Sequence, residues 1–229
     1  MQKLVLTIFF LISLTACSHR RTGEGDKVDS DRIYFDYKIH GEEDKDEVTC
    51  LLQFHYNSPR GNTVLLEKPS TVKLDGEEIS ADSTPMTGAF YEIQKSKESF
   101  AGRHTITFID LNNKQYKEEF SFTPFTLRTD LPEVVKRQDL QLSVDGVKDM
   151  DSLGILLTDT SFVTDDVQAV LNVSEGKLHI PLELWQHVSS GPVNMQLFKE
   201  EERPINRGTK TRGQITIAYR LNREFILED

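Results

Sequence analysis

The stretch Ile33-Tyr34-Phe35-Asp36-Tyr37-Lys38-Ile39, followed by Val48-Thr49-Cys50-Leu51-Leu52-Gln53-Phe54-His55-Tyr56, decides the fold. Ile33, Phe35, Tyr37 and Ile39 fall on every second residue, and so do Val48, Cys50, Leu52, Phe54 and Tyr56. A period of two places each set on one face of an extended chain, so both segments read as half-buried strands joined by the acidic loop Gly41 to Glu47. The pattern continues through Thr63 to Leu66, Thr71 to Leu74 and Glu77 to Ser80. Asp75-Gly76 separates the last two and supplies the positive φ angles of a tight hairpin. Phe90 to Gln94, Thr105 to Ile109 and Tyr116 to Phe122 complete the set, the last two joined across Asn112-Asn113. Eight short strands in about 90 residues is the density of an all-β domain.

Pro124 marks a boundary, after which the count begins again. Leu140 to Val144 leads into a second Asp-Gly hairpin, Asp145-Gly146. Leu153 to Leu157, Val167 to Val173 and Lys177 to Ile180 follow, with Ser174-Glu175-Gly176 as a hairpin turn. Val193 to Phe198 and Gln214 to Leu221 form a long final pair, and Glu224 to Leu227 adds an edge. Pro181 to Val188 is the one helical stretch, with Leu182 and Trp185 facing inward. The expected fold is all-β, with two tandem immunoglobulin-like β-sandwiches over residues 32–124 and 125–229. Strand count carries that reading, because neither half has the Cys, Trp, Cys spacing of antibody domains.

Upstream, Lys3 precedes an apolar run from Leu4 to Ile12, and Leu14-Thr15-Ala16-Cys17 closes it. This resembles a bacterial lipoprotein signal peptide, with Leu14 to Cys17 matching the lipobox, so residues 1–16 are expected to be removed and Cys17 to carry the lipid. The run is too short to span a bilayer, which takes about 20 apolar residues. Ser18 to Asp31 is polar, charged and glycine-bearing, so residues 17–31 read as the lipidated Cys and a flexible tether. Taken with Val72-Lys73-Leu74-Asp75-Gly76 and Gly191-Pro192-Val193, the chain resembles exported lipoproteins of Bacteroidota-type bacteria that carry tandem immunoglobulin-like domains. The resemblance implies a place in the cell envelope, anchored by lipid at the outer membrane. Where outward-facing members carry acidic residues after the Cys, this chain has Ser18-His19-Arg20-Arg21, which leaves periplasmic and surface orientation both open.

The 229 residues carry 27 Lys and Arg against 37 Asp and Glu, a formal charge of −10. Nucleic acid and anionic headgroups are therefore poor partners. With Cys17 acylated, Cys50 has no disulfide partner, and its place in an apolar stripe makes it a core thiol.

No sequence motif for catalysis stands out. His19, His40, His55, His104, His179 and His187 are scattered and form no metal pair; Asp44 with Asp46, Asp149 with Asp151, and Asp165 with Asp166 match no calcium loop. No metal or cofactor is expected. Trp185, the single tryptophan, sits among leucines and reads as core rather than as a sugar platform. Asp82-Ser83-Thr84 and Asp151-Ser152-Leu153 resemble bacterial O-glycosylation acceptors. The most distinctive charge pattern is the connection Lys199 to Arg212, where Glu200, Glu201 and Glu202 precede Arg203, Arg207, Lys210 and Arg212. It reads as a loop projecting from the second sandwich and as the candidate partner-binding surface. The expected role is non-catalytic binding or assembly, with a membrane contact through Cys17 and a protein or glycan partner. A surface glycan-capture or adhesin role is the alternative within that class, and an envelope hydrolase assembled through space is the alternative from another.

Overall fold

The computed structural model describes residues 28–229; the expected signal peptide, Cys17 and residues 18–27 of the expected tether lie outside them. Ser30–Arg32 form a 3-10 turn, with the Asp29 carboxylate accepting from the Asp31 N–H, so the chain is already folded where the tether was expected to continue.

The first half holds β1 (Ile33–Glu42), β2 (Glu47–Tyr56), β3 (Thr71–Leu74), β4 (Glu77–Glu78), β5 (Ala81–Thr84) and β6 (Gly88–Ser96). The helical turn α1 (Lys97–Phe100) leads on to β7 (Gly102–Ile109) and β8 (Gln115–Phe122). One sheet runs β1-β2-β6-β5 and the other β4-β3-β7-β8. The second half holds β9 (Thr126–Leu127), β10 (Val134–Lys136), β11 (Leu140–Asp145), β12 (Ser152–Asp159), β13 (Val167–Ser174) and β14 (Lys177–Ile180). After α2 (Leu182–Trp185) come β15 (Gly191–Pro204) and β16 (Gly213–Glu228). Here β9-β11-β14-β13 lie beside one another, and β12-β15-β16 do the same. Both halves repeat the A-B-E-D and C-F-G orders of an immunoglobulin sandwich, so the chain is an all-β protein of tandem immunoglobulin-like sandwiches.

Local chemistry accounts for the turns. Asp75 and Gly76 have φ of 49° and 89°, and Glu175 and Gly176 have 51° and 71°, the paired positive values of a type I′ hairpin. The other Asp-Gly pair differs from its expectation: β11 pairs with β14 and β9, whereas β12 pairs with β13 and β15, so Asp145-Gly146 crosses between sheets and makes no hairpin. A Cβ on Gly146 would meet the Pro124 carbonyl oxygen at 2.4 Å, which explains why glycine stands there. Thr63 to Leu66 makes only a bridge from Thr63 to His55, and Glu77 to Ser80 shrinks to two strand residues.

The main departure from two independent sandwiches is the β15–β16 hairpin. Its base pairs with β12 through Val193 to Phe198 and with β10 through Ile226 to Glu228. Its outer half reaches the first sandwich, where Gly213 to Arg220 runs parallel to Phe35 to Glu42 of β1. One sheet therefore passes through both halves. Phe122, Phe125 and Tyr219 pack edge-on around the junction, and Gly41 leaves room for the Phe122 ring, which a Cβ would meet at 2.8 Å.

Cys50 is fully buried in the first core, and burial, reinforced by the nearby Asp75 charge, pushes its thiol up to about 12. Reaction needs the thiolate. Iodoacetamide at pH 8 is expected to leave Cys50 unmodified in the native protein and to label it fully in guanidinium; mass spectrometry of the tryptic peptide reads the result, and rapid native labelling would mean that the core opens locally.

Candidate functional site

The charged connection does not hang free in solution. β15 continues to Pro204, and the segment after it folds down against the first sandwich. Arg203 meets Glu118, an inward-facing residue of β8 whose side chain is only 2 % exposed, and donates from Nη2 to the Glu119 carbonyl at 2.8 Å. The Asn206 N–H donates to the second Glu118 oxygen at 2.9 Å. Ile205 and Thr209 are buried, Thr209 Oγ1 donates to the Ile33 carbonyl, and Thr211 Oγ1 donates to the Asp31 carbonyl at 2.8 Å. Lys210 pairs with Asp31 at 2.6 Å, and the Phe35 N–H donates to the Arg212 carbonyl at 3.2 Å. Arg203 and Lys210 thus have partners within the chain. Glu200, Glu201, Glu202, Arg207 and Arg212 remain exposed, with Glu201 accepting from Arg203 at 3.1 Å. The acidic half of the pattern faces solvent, while the basic half includes the contacts that close the first sandwich between β1 and β8.

Asp75 and His104, distant in sequence, come together as a couple. His104 Nδ1 lies 2.7 Å from one Asp75 oxygen, and the other accepts the Thr105 N–H at 2.8 Å. Such an aspartate can orient a catalytic base. Here the second ring nitrogen faces the Phe100 carbonyl at 2.7 Å and the imidazole stacks on Phe100, 3.8 Å between centroids. Both nitrogens are committed, so the couple fastens the β3–β4 turn to β7.

On the outer face of the first sandwich, His55 Nδ1 donates to the Gly61 carbonyl at 3.1 Å, and Nε2 faces Asp36 at 3.8 Å. The Asp36 carboxylate raises the imidazole above its ordinary range against the opposing effect of burial. Burial pushes Asp36 up, but His55 and Lys38, the latter at 2.9 Å, outweigh it and hold the carboxyl low. A raised histidine stabilises the fold fully below its unfolded pKa of about 6.5 and loses that contribution as pH rises through the folded value. The unfolding free energy from guanidinium titration is therefore expected to be slightly higher at pH 6 than at pH 8, by less than about 1 kcal/mol. The difference should shrink in Asp36→Asn; an equal difference in that variant would assign it elsewhere.

The acidic pairs serve loops. Asp44 and Asp46 are exposed; Asp149 accepts the Glu175 N–H at 2.8 Å, Asp151 pairs with Lys199 at 2.6 Å, and Asp165 and Asp166 are exposed. Among the described residues, no three His, Cys, Asp or Glu side chains gather to hold a metal ion. Of the histidines, His40, His179 and His187 are exposed, and His19 lies outside the described residues. Ser83, Thr84 and Ser152 are exposed on strands β5 and β12. Trp185 is buried against Phe225, with ring centroids 6.1 Å apart. A groove of about 320 Å³ lies beside the start of the described chain, lined by Val28, Asp29, Glu67, Lys68, Leu111 and Asn112 among others.

The fold and this site describe a tandem immunoglobulin-like protein whose second sandwich reaches into the first. No family model matches the chain, and no curated protein matches it. Among solved structures, it is similar to the IG1 and IG2 domains of DIP-gamma, at 11 % identity and TM-score 0.24 over 86 % of this chain and 95 % of that one. A titin I-band fragment gives 14 % identity and TM-score 0.26 over 85 % and 65 %. A bacterial ice-binding adhesin gives 8 % identity and TM-score 0.26 over 86 % and 65 %. The immunoglobulin-like assignment rests on the strand orders given above.

Proposed function

We propose that the protein is a lipid-anchored binding or assembly component of the cell envelope, held at the outer membrane through Cys17 and acting without catalysis. The observation that carries the anchor is the Leu14-Thr15-Ala16-Cys17 lipobox behind an apolar run. Lipoproteins of this type carry a diacylglycerol and often a further acyl chain, and two chains hold a protein stably where one does not. The body supports a binding role: its two sandwiches share a sheet, and the Asp-His couple that resembles part of a triad is closed by Phe100. Trp185 in the core removes the ring best suited to stacking on sugars, which favours a protein partner over a glycan.

Two measurements test the anchor and its orientation. Labelled palmitate is expected to enter the wild-type protein and to be lost completely in Cys17→Ala, which then fractionates as soluble; equal labelling of both would remove the anchor. Protease added to intact cells, with a periplasmic marker as control, then separates surface display from a periplasmic position.

A further inference from the structure

Charge is segregated along this protein in a way that its formal value of −10 conceals. Four segments close the first sandwich at the end where the described chain begins. Ile33 stands opposite Tyr56 in the β1–β2 pairing, which brings residues 57–62 alongside; Arg32 Nε donates to Asn57 Oδ1 at 2.7 Å, and the Asn57 N–H donates to the Arg32 carbonyl at 2.7 Å. The hairpin tip, residues 205–213, is fastened there through Lys210 to Asp31 and through Thr209 to Ile33. The approach to β3 and the β7–β8 turn complete the cap: Lys68, Leu111 and Asn112 line the groove beside Val28, and Lys114 is close enough to Asp31 and Lys210 for their charges to interact.

Over residues 28–33, 57–70, 110–115 and 205–213, this end carries seven Lys and Arg against four Asp and Glu. Two of the four acids are consumed locally. Asp110 is buried and accepts the N–H groups of Asn112 and Lys114, and Asp31 pairs with Lys210. Arg60, Lys68, Arg207 and Arg212 are exposed, and among the described residues none of them pairs with a carboxylate. The acidic half of the hairpin sits back from the tip, since Glu202 lies opposite Thr216, level with Lys38 of β1. At the far end of the molecule, where β12 finishes against the start of β15, Asp165 and Asp166 are exposed.

The basic end is also the end nearest the expected anchor. Val28 belongs to it, and the eleven residues 17–27 can span at most about 40 Å. β16, with sixteen residues, extends roughly 50 Å from this end toward the other. A lipid on Cys17 therefore keeps the basic end close to the bilayer and lets the acidic end stand clear of it. Attraction between exposed charges acts within about 8–10 Å, so the tether supplies proximity and the cations supply orientation.

We propose that the hairpin tip and the turns carrying Arg60, Lys68 and Lys114 rest on the phosphate-bearing headgroups of the bilayer that holds Cys17, and that this contact stands the protein upright with its second sandwich outward. Lys and Arg near an anionic lipid surface are drawn to it, whereas the acidic remainder of the chain is repelled. The contact gives Arg207 and Arg212, the unpaired basic members of the 199–212 pattern, a partner. The expectation that anionic headgroups are poor partners then describes the body of the protein and not this end. The proposal rests on the reading of Cys17 as the anchor.

The test uses the full-length lipidated protein, reconstituted on vesicles of phosphatidylcholine alone or with about 30 % phosphatidylglycerol. Flotation reads the anchor. Energy transfer to an acceptor on the headgroups reads the orientation, from a fluorophore on Asn112→Cys at the basic end or, separately, on Asp165→Cys at the other; Cys50 is buried and stays unlabelled. Transfer from position 112 is expected to rise at least about twofold on the anionic vesicles over the neutral ones, and transfer from position 165 to stay low on both. The rise should vanish in about 1 M salt, where screening shortens the range of attraction to about 3 Å. Arg60→Gln, Lys68→Gln and Arg207→Gln together, all at exposed positions, should abolish it with the circular dichroism spectrum unchanged. Flotation on both vesicle types, with transfer from position 112 indifferent to lipid charge, salt and the triple substitution, overturns the contact and keeps the anchor. Flotation on anionic vesicles alone, lost in the triple variant, ends the anchor reading and leaves the contact standing. Flotation on neither ends both.

Discussion

Arg203→Ala is expected to destabilise the protein by about 3 kcal/mol, because it strands the Glu118 carboxylate in a position from which water is excluded. The Glu118 side chain is 2 % exposed, and with Arg203 gone its partners reduce to the Asn206 backbone N–H and side-chain amide. The Glu119 carbonyl also loses its donor, and the hairpin tip loses its hold on β8. Glu118→Gln, which removes the charge and keeps a hydrogen-bonding group, should cost less, about 1–2 kcal/mol. The double variant Arg203→Met, Glu118→Leu should recover much of the loss, since a buried pair replaced by apolar side chains of similar volume is often neutral. Guanidinium unfolding followed by far-UV circular dichroism measures all three. A single Arg203→Ala variant with an unchanged midpoint would show that the tip is held by Ile205, Thr209 and Thr211 alone.

Arg137→Met is expected to cost about 2–3 kcal/mol, since the part-buried Val188 carbonyl would lose its donor and the Trp185 carbonyl its charged one. The guanidinium of Arg137 donates from Nη1 to the carbonyls of Trp185 and Val188, at 2.9 and 2.8 Å, and from Nη2 to Ser190 Oγ at 3.0 Å. It therefore braces the end of a helix of only four residues, where the Trp185 carbonyl also accepts the Val188 N–H at 3.1 Å. Nε donates to Asp229 at 2.7 Å, but that carboxylate is 82 % exposed, so Asp229→Asn should change stability by less than about 1 kcal/mol. Arg137→Lys should fail to rescue, because an ammonium cannot reproduce the planar fork that reaches several carbonyls at once. Trp185 emission reports the outcome directly: a red shift in the folded baseline of Arg137→Met marks water reaching the indole, and an unshifted, fully stable variant would contradict the bracing role.

The strands β1 and β2, the hairpin turns at Asp75-Gly76 and Glu175-Gly176, the core positions of Cys50 and Trp185, and the all-β class were all legible in the sequence. Each depends on residues close together in the chain: a period of two, a positive φ, or an apolar run. β5 was missed because its four residues, Ala-Asp-Ser-Thr, are all exposed and so carry no period. The second Asp-Gly pair was misread as a hairpin because its glycine answers a contact from Pro124, twenty-two positions earlier.

The candidate site divides along the same line. The charge pattern of residues 200–212 was visible, but its consequence depends on Glu118, which faces inward from β8, and on Asp31, far upstream. Nothing in the sequence showed how β13 pairs; only the full set of strand pairings reveals that, among the described residues, Val167–Asn172 pairs with β12 while Val173 and Ser174 turn to β14. Sequence by itself determined the alternation of buried and exposed residues and the local turns, because these are set by neighbours along the chain. Tertiary structure alone decided that the last hairpin joins the first strand and which charges are consumed in holding it, because hydrogen bonding and burial between distant strands depend on what the rest of the fold brings alongside them.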